Sequence, residues 1–173
     1  PLGLIFMFLT FYLYVLAWHA KTTKTRILYS IASGAAAGLL GAAWGGVQYI
    51  TIIIPIFVLI EFFLSKFDNK DFQIYTSWVL TTIFILINFT GRFSIKGIIY
   101  SPTSSLTILA FFIVTLHYLI ENHFPNIKSK LPTKIPPTIT TLLISAVMGF
   151  VIISLIFGTD FISSNYREVI DRL

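Results

Sequence analysis

Long apolar runs dominate this sequence, and their length limits the folds that it can adopt. A helix crosses a bilayer core of about 30 Å with roughly 20 apolar residues. Six stretches meet this requirement: Leu2–Trp18, Ile27–Trp44, Val47–Leu64, Phe72–Phe89, Ser104–Glu121 and Thr138–Gly158. They lack the alternating pattern of a membrane barrel strand. The sequence therefore predicts an all-α, polytopic transmembrane helical bundle with about six spans.

The composition indicates a protein surface that faces lipid. The chain is 56% hydrophobic and 11% charged, with a mean hydropathy of +0.87. Soluble domains are about 45–50% apolar and about 25% charged, so too few polar side chains remain here to coat a surface in water. Cysteine is absent, which excludes disulfides, cysteine zinc sites and a thiol nucleophile in this chain.

The basic residues fall in loops between the apolar runs and predict an orientation. Under the six-span interpretation, three loops share one side of the membrane: His19–Arg26, Ser65–Asp71 and Asn122–Pro137. These loops hold eight of the 12 Lys and Arg residues. The positive-inside rule places that side in the cytoplasm. The net charge of +5 is explained by this pattern, and we expect no nucleic-acid partner.

The predicted organisation is a multi-span domain over residues 1–158, followed by the start of an external loop over residues 159–173. In this last segment Tyr166, Val169, Ile170 and Leu173 fall on one helical face, which predicts a short amphipathic helix on the outer membrane surface. The chain opens with Pro1 and shows no signal-peptide pattern. We therefore expect it to be an internal part of a longer protein.

Small residues mark the second span and the link to the third. Gly34 and Gly38 form a GxxxG pair among alanines, a pattern that lets helix backbones approach closely or leaves room for a ligand chain. Gly45–Gly46 would supply a tight turn through the freedom of glycine to adopt positive φ. Pro55 lies inside the third span and should kink that helix or free a backbone carbonyl.

Ionisable groups are almost absent at bilayer depth, so the residues alone identify no active site. Glu61 lies near the predicted inner end of its span, close to Lys66. His117 and Glu121 are one helical turn apart near the inner end of another span. They are possible metal ligands, but no third ligand accompanies them in the sequence. We therefore assign no catalytic residue and no metal ligand within this chain.

A family resemblance enters with the run Ala35–Ile54, AAAGLLGAAWGGVQYITIII. This run resembles the catalytic subunit of oligosaccharyltransferases. The lysine-rich, isoleucine-rich loops of the chain resemble the archaeal branch of that family more than the animal branch. In that family a small-residue helix ends in Trp-Gly-Gly and is followed by a span with an aromatic residue and a proline. The matching residues here are Trp44, Gly45, Gly46, Tyr49 and Pro55. With the order of the spans, the resemblance covers Ile27–Leu173.

The resemblance implies an activity, a cofactor and partners. The family transfers a glycan from a polyprenyl or dolichyl pyrophosphate carrier to the asparagine of an Asn-x-Ser/Thr acceptor polypeptide. It implies a divalent metal, Mg²⁺ or Mn²⁺, bound by acidic residues of early external loops that this chain does not contain. It also implies that Trp44, Gly45, Gly46 and Tyr49 lie near the outer mouth of the groove for the lipid carrier. The membrane would be the cell membrane of a prokaryote or the endoplasmic reticulum membrane of a eukaryote.

Two other functions fit the same spans. One is another glycosyltransferase that uses a polyprenyl-phosphate sugar. The other is a transporter or channel subunit, a class that typically shows broken helices or charges at the membrane midplane. Pro55 is the one feature of that kind here, and no charge accompanies it.

Overall fold

The computed structural model describes residues 2–89, 91, 93–94, 97–98, 102–122, 142, 144–145 and 148. This part of the chain is helical and contains no strand. Its five helices are α1 (Leu2–His19), α2 (Thr23–Ala43), α3 (Val47–Phe63), α4 (Asn69–Phe89) and α5 (Pro102–Asn122). The all-α class predicted from the sequence is therefore confirmed for the described residues.

Four of these helices, α1, α2, α4 and α5, are long and apolar enough to cross a membrane, which indicates an integral membrane protein. Helix α3 is also apolar but has 17 residues, or about 26 Å at 1.5 Å per residue. The predicted sixth span, Thr138–Gly158, lies almost entirely outside the described residues. The external amphipathic helix and the boundary at residue 158 lie wholly outside them.

Helix α2 lies at the centre of the bundle and packs along both α1 and α4. Its glycines produce the close approach to α4. A Cβ atom on Gly34 would lie 2.7 Å from the carbonyl oxygen of Trp78, and one on Gly38 would lie 2.6 Å from the Cβ of Ile85. The predicted close packing of the GxxxG face is therefore confirmed, and α4 is the partner helix.

Hydroxyl groups tie α2 to both of its neighbours at positions shielded from lipid. Ser33 Oγ donates to the carbonyl of Thr10 in α1 at 2.8 Å. Thr82 Oγ1 shares its one proton between the carbonyl of Trp78 in its own helix, at 2.8 Å, and the carbonyl of Gly34 in α2, at 3.2 Å. All these residues are buried. Because lipid tails are as apolar as the helices, packing and such hydrogen bonds hold a membrane bundle together in place of the hydrophobic effect.

Pro55 connects α3 to α5 through a carbonyl group. Proline has no N–H, so the carbonyl of Thr51, four residues earlier, loses its helical partner. Thr107 Oγ1 of α5 donates to this carbonyl at 2.8 Å. The hydroxyl of Tyr75 in α4 in turn donates to the carbonyl of Thr107 at 3.0 Å. The freed carbonyl predicted from the sequence is present and joins α3 to α5, and the hydrogen bond from Tyr75 extends the connection to α4.

Replacing Thr107 by valine should lower the free energy of unfolding by about 1 to 2 kcal/mol, because the Thr51 carbonyl would lose its donor inside the bundle. In a Pro55→Ala background the same change should cost less, since the new N–H supplies that carbonyl. Thr115→Val on the same helix is the control, because the buried Thr115 hydroxyl has no partner among the described residues. Unfolding in mixed micelles gives the free energy of unfolding of Thr107→Val, Pro55→Ala, the double variant and Thr115→Val. Equal costs for Thr107→Val in both backgrounds would contradict the network.

Because successive helices run in opposite directions, the loops that join them lie at two opposite ends of the bundle. At one end Trp18 Nε1 donates to Asp71 Oδ1 at 3.0 Å, and the rings of Phe62 and His117 lie 5.0 Å apart. Asn122 begins the third predicted loop at this same end and donates to Asn69 at 3.4 Å. We call it the basic end. The turn end is opposite and holds the residues that link α2 to α3.

Candidate functional site

The link between α2 and α3 is a turn of three residues. Helix α2 ends at Ala43, and Trp44 then becomes extended, with φ −160° and ψ 146°. The Trp44 N–H donates to the Leu40 carbonyl at 2.7 Å and closes the helix end. Helix α3 begins at Val47. Two helices joined by a tight turn were predicted here, and the structure confirms them.

The reason for glycine in this turn differs from the one expected. Gly46 has φ −65°, an ordinary right-handed value, and Gly45 is not in the left-handed region either. Instead the six-membered ring of the Trp44 indole covers Gly46, in the space that a Cβ atom would occupy. Gly46 is buried beneath the ring. The expectation of positive φ was wrong. Glycine is required at position 46 because the side chain of Trp44 fills the space that a Cβ atom would need.

A glycine of α1 lies on another part of the same indole. A Cβ atom on Gly3 would lie 3.1 Å from both the Cβ and Cε3 atoms of Trp44. Trp44 is therefore held between α1 and the start of α3 by two glycines that leave room for it. Sequence reasoning missed Gly3, since a single glycine in an apolar helix carries no signal for its distant partner.

The two aromatic residues predicted for the groove come together at the turn end. The rings of Trp44 and Tyr49 have centroids 6.5 Å apart and planes inclined by 40°. Trp44 is 46% exposed and Tyr49 is 53% exposed, so both present ring surface outside the bundle. Gly45 is exposed, and a Cβ atom there would meet no atom within 4 Å. Two of the four predicted residues, Trp44 and Tyr49, thus form one exposed surface. Gly46 lies buried beneath it, and Gly45 contributes only to the turn.

An open cavity of about 440 Å³ lies beside Trp44. Its lining is mostly apolar and consists of Leu2, Gly3, Leu4, Ala43 and Trp44. Sites for small molecules usually measure about 300–1,000 Å³ and are lined mainly by apolar and aromatic groups. The cavity therefore has the size and the chemistry to hold part of an apolar chain against the indole.

The basic end holds all four of the described carboxylates, which are Glu61, Asp68, Asp71 and Glu121. Glu61 and Asp71 line one small void together with Trp18 and Phe57, whose rings pack edge to face at 5.0 Å. Asp71 accepts hydrogen bonds from the Trp18 indole and from the backbone N–H of Asp68. The predicted position of Glu61 near the end of its helix is confirmed, and its neighbour across the void is Asp71.

His117 and Glu121 approach each other as their spacing predicted, with Nε2 and Oε2 3.9 Å apart. Asp68 reaches the same cavity of about 200 Å³, but its Oδ1 accepts hydrogen bonds from the N–H groups of Lys70 and Asp71. Among the described residues no group of three His, Cys, Asp or Glu side chains could hold a metal ion. These residues therefore do not fit the divalent metal that the resemblance implies.

Comparison with known proteins gives no relative. No protein-family model, no curated protein and no solved structure matches the chain.

Proposed function

We propose that the chain is the transmembrane portion of an oligosaccharyltransferase, which transfers a glycan from a polyprenyl or dolichyl pyrophosphate carrier to asparagine. The observation that carries this proposal is the Trp44-Gly45-Gly46 link. It follows a small-residue helix and precedes a helix with Tyr49 and Pro55, as in the family that the sequence resembles. The geometry supports the proposal, because this link presents two aromatic rings beside an apolar cavity at one end of the bundle.

In this reaction the amide nitrogen of the acceptor asparagine attacks the sugar carbon bonded to pyrophosphate. The bond from that carbon to the pyrophosphate oxygen breaks, the carrier pyrophosphate leaves, and the amide nitrogen loses one proton. The described residues would contribute binding rather than chemistry. The carrier's isoprenoid chain is apolar and would lie in the cavity beside Leu2, Leu4 and Ala43. Trp44 and Tyr49 would lie where the chain meets its polar headgroup, a depth at which membrane proteins favour aromatic side chains. This arrangement would position the carrier for the transfer.

Replacing Trp44 by alanine in the full-length protein should weaken carrier binding about tenfold, the loss of about 1.4 kcal/mol of ring contact. Crosslinking to a polyprenyl pyrophosphate with a photoreactive isoprene unit, in membranes of the source organism, measures this loss. Phe63→Ala is the control, since Phe63 is another exposed aromatic residue, at the basic end of α3.

The activity itself is tested by disrupting the gene and mapping glycans on Asn-x-Ser/Thr sites of secreted proteins. We expect these glycans to disappear and to return when the wild-type gene is restored. Glycans that persist at full occupancy in the disrupted strain would overturn the proposed function. Equal crosslinking of the Trp44→Ala and wild-type proteins would overturn the placement of the carrier at Trp44.

A further inference from the structure

The turn between α1 and α2 carries several positive charges. Neither helix contains an acidic residue that would balance them. Lys21, Lys24 and Arg26 fall within six residues, and the first acidic residue of the chain is Glu61. Lys21 and Lys24 are exposed. Helix α2 begins at Thr23, so the partial positive charge of its N-terminus adds to the same place.

Arg26 lies beneath this turn and is only 6% exposed. Its guanidinium reaches back to the turn, where Nη2 donates to the Ala20 carbonyl, and Nη1 donates to Gln73 Oε1, both at 3.3 Å. Its Nε is buried and has no hydrogen-bond partner among the described residues. A buried guanidinium that meets only neutral acceptors is costly unless an anion lies close by.

The carboxylates of the basic end are engaged elsewhere. Asp71 accepts from the Trp18 indole, Asp68 accepts from two backbone N–H groups, and Glu121 lies beside His117. Glu61 faces the void that it shares with Asp71. The loop between α3 and α4 therefore contains acidic residues beside its two lysines, Lys66 and Lys70. The α1–α2 turn contains basic residues and no acidic residue.

We propose that the α1–α2 turn binds the phosphate-bearing headgroup of an anionic membrane lipid. The turn joins two helices long and apolar enough to cross a membrane, so it lies at the depth of the headgroups. Lys21 and Lys24 contact the phosphate, and the partial positive charge of the α2 N-terminus adds to their attraction. Arg26 supplies a fixed positive charge below the site. The position of the turn favours a lipid over a soluble anion, because a lipid's phosphate is held at this depth.

Native mass spectrometry of the purified chain, titrated with phosphatidylglycerol or phosphatidylcholine, tests this proposal. Each cation near an anionic lipid surface contributes about 1 kcal/mol, so removing two should weaken phosphatidylglycerol binding about 30-fold. The test variant is Lys21→Gln with Lys24→Gln. The control is Lys66→Gln with Lys70→Gln, which removes the same charge from exposed positions of the other loop. The control should change binding by no more than about twofold, since Asp68 and Asp71 leave the loop between α3 and α4 without net charge.

Three results would overturn the proposal. The first is equal binding of phosphatidylglycerol and phosphatidylcholine by the wild-type chain. The second is an equal loss in both double variants, which indicates diffuse attraction to the whole basic end. The third is displacement of the lipid by an equal concentration of inorganic phosphate, which indicates a site for a soluble anion. Retained helicity by circular dichroism confirms that each variant is folded.

Discussion

Replacing Gly34 by alanine is expected to lower the free energy of unfolding by about 2 to 3 kcal/mol, although alanine is the better helix former by about 1 kcal/mol. The new Cβ would lie 2.7 Å from the Trp78 carbonyl oxygen and 2.9 Å from the Thr81 Cβ. Both atoms belong to or adjoin the backbone of α4, so no side-chain rotation relieves the contact. Helices α2 and α4 must move apart, which also lengthens the contact between the Thr82 hydroxyl and the Gly34 carbonyl.

Two other glycines provide graded controls with the same substitution. At Gly41 a Cβ atom would meet Leu86 at the far end of its flexible side chain, so Gly41→Ala should cost less than Gly34→Ala. At Gly45 a Cβ atom would meet nothing within 4 Å, so Gly45→Ala should leave stability unchanged or raise it slightly. Unfolding of each variant by a denaturing detergent, followed by tryptophan fluorescence, gives the order. If Gly34→Ala is as stable as the wild type, α2 and α4 do not pack as described.

The sequence predicted where the described helices lie but not their full lengths. Apolar content placed the second span at Ile27 and the fourth at Phe72, whereas α2 begins at Thr23 and α4 at Asn69. In both cases a polar residue caps a hydrophilic first turn, which hydropathy alone does not register. Thr22 accepts from the N–H of Thr25, and Asp68 accepts from the N–H groups of Lys70 and Asp71.

A single sequence does not identify which residues contact each other in the fold. The GxxxG pair predicts a close helix neighbour, but nothing in its pattern identifies α4 rather than the adjacent α3. Pro55 predicts a free carbonyl at Thr51, yet the donor Thr107 lies 56 residues away in sequence. The link at Trp44 was correctly identified as a tight turn, while the packing of its indole over Gly46 follows only from the fold.

These contacts fix the structure of the turn end, and this structure suits the function that we propose. Glycine at position 46 lets the indole fold back, and Gly3 lets α1 approach the same ring. The exposed parts of Trp44 and Tyr49 are therefore held in place by the bundle. A carrier that enters the neighbouring cavity would meet rings that are already positioned, which lowers the entropic cost of binding.

The alternation of helices across the membrane is the claim on which both proposals depend, and site-directed labelling tests it most directly. The chain contains no cysteine, so single variants Lys21→Cys, Gly45→Cys and Lys66→Cys each carry one thiol. All three positions are exposed, the two lysines at the basic end and Gly45 at the turn end. Sealed vesicles of known orientation are treated with a membrane-impermeant maleimide before and after permeabilisation.

We expect the Lys21→Cys and Lys66→Cys proteins to react from the cytoplasmic side only, and the Gly45→Cys protein to react from the opposite side only. This pattern requires that α2 and α3 each cross the bilayer, even though α3 has only 17 residues. Reaction of the Lys21→Cys and Lys66→Cys proteins from opposite sides, or of all three from one side, would contradict the account.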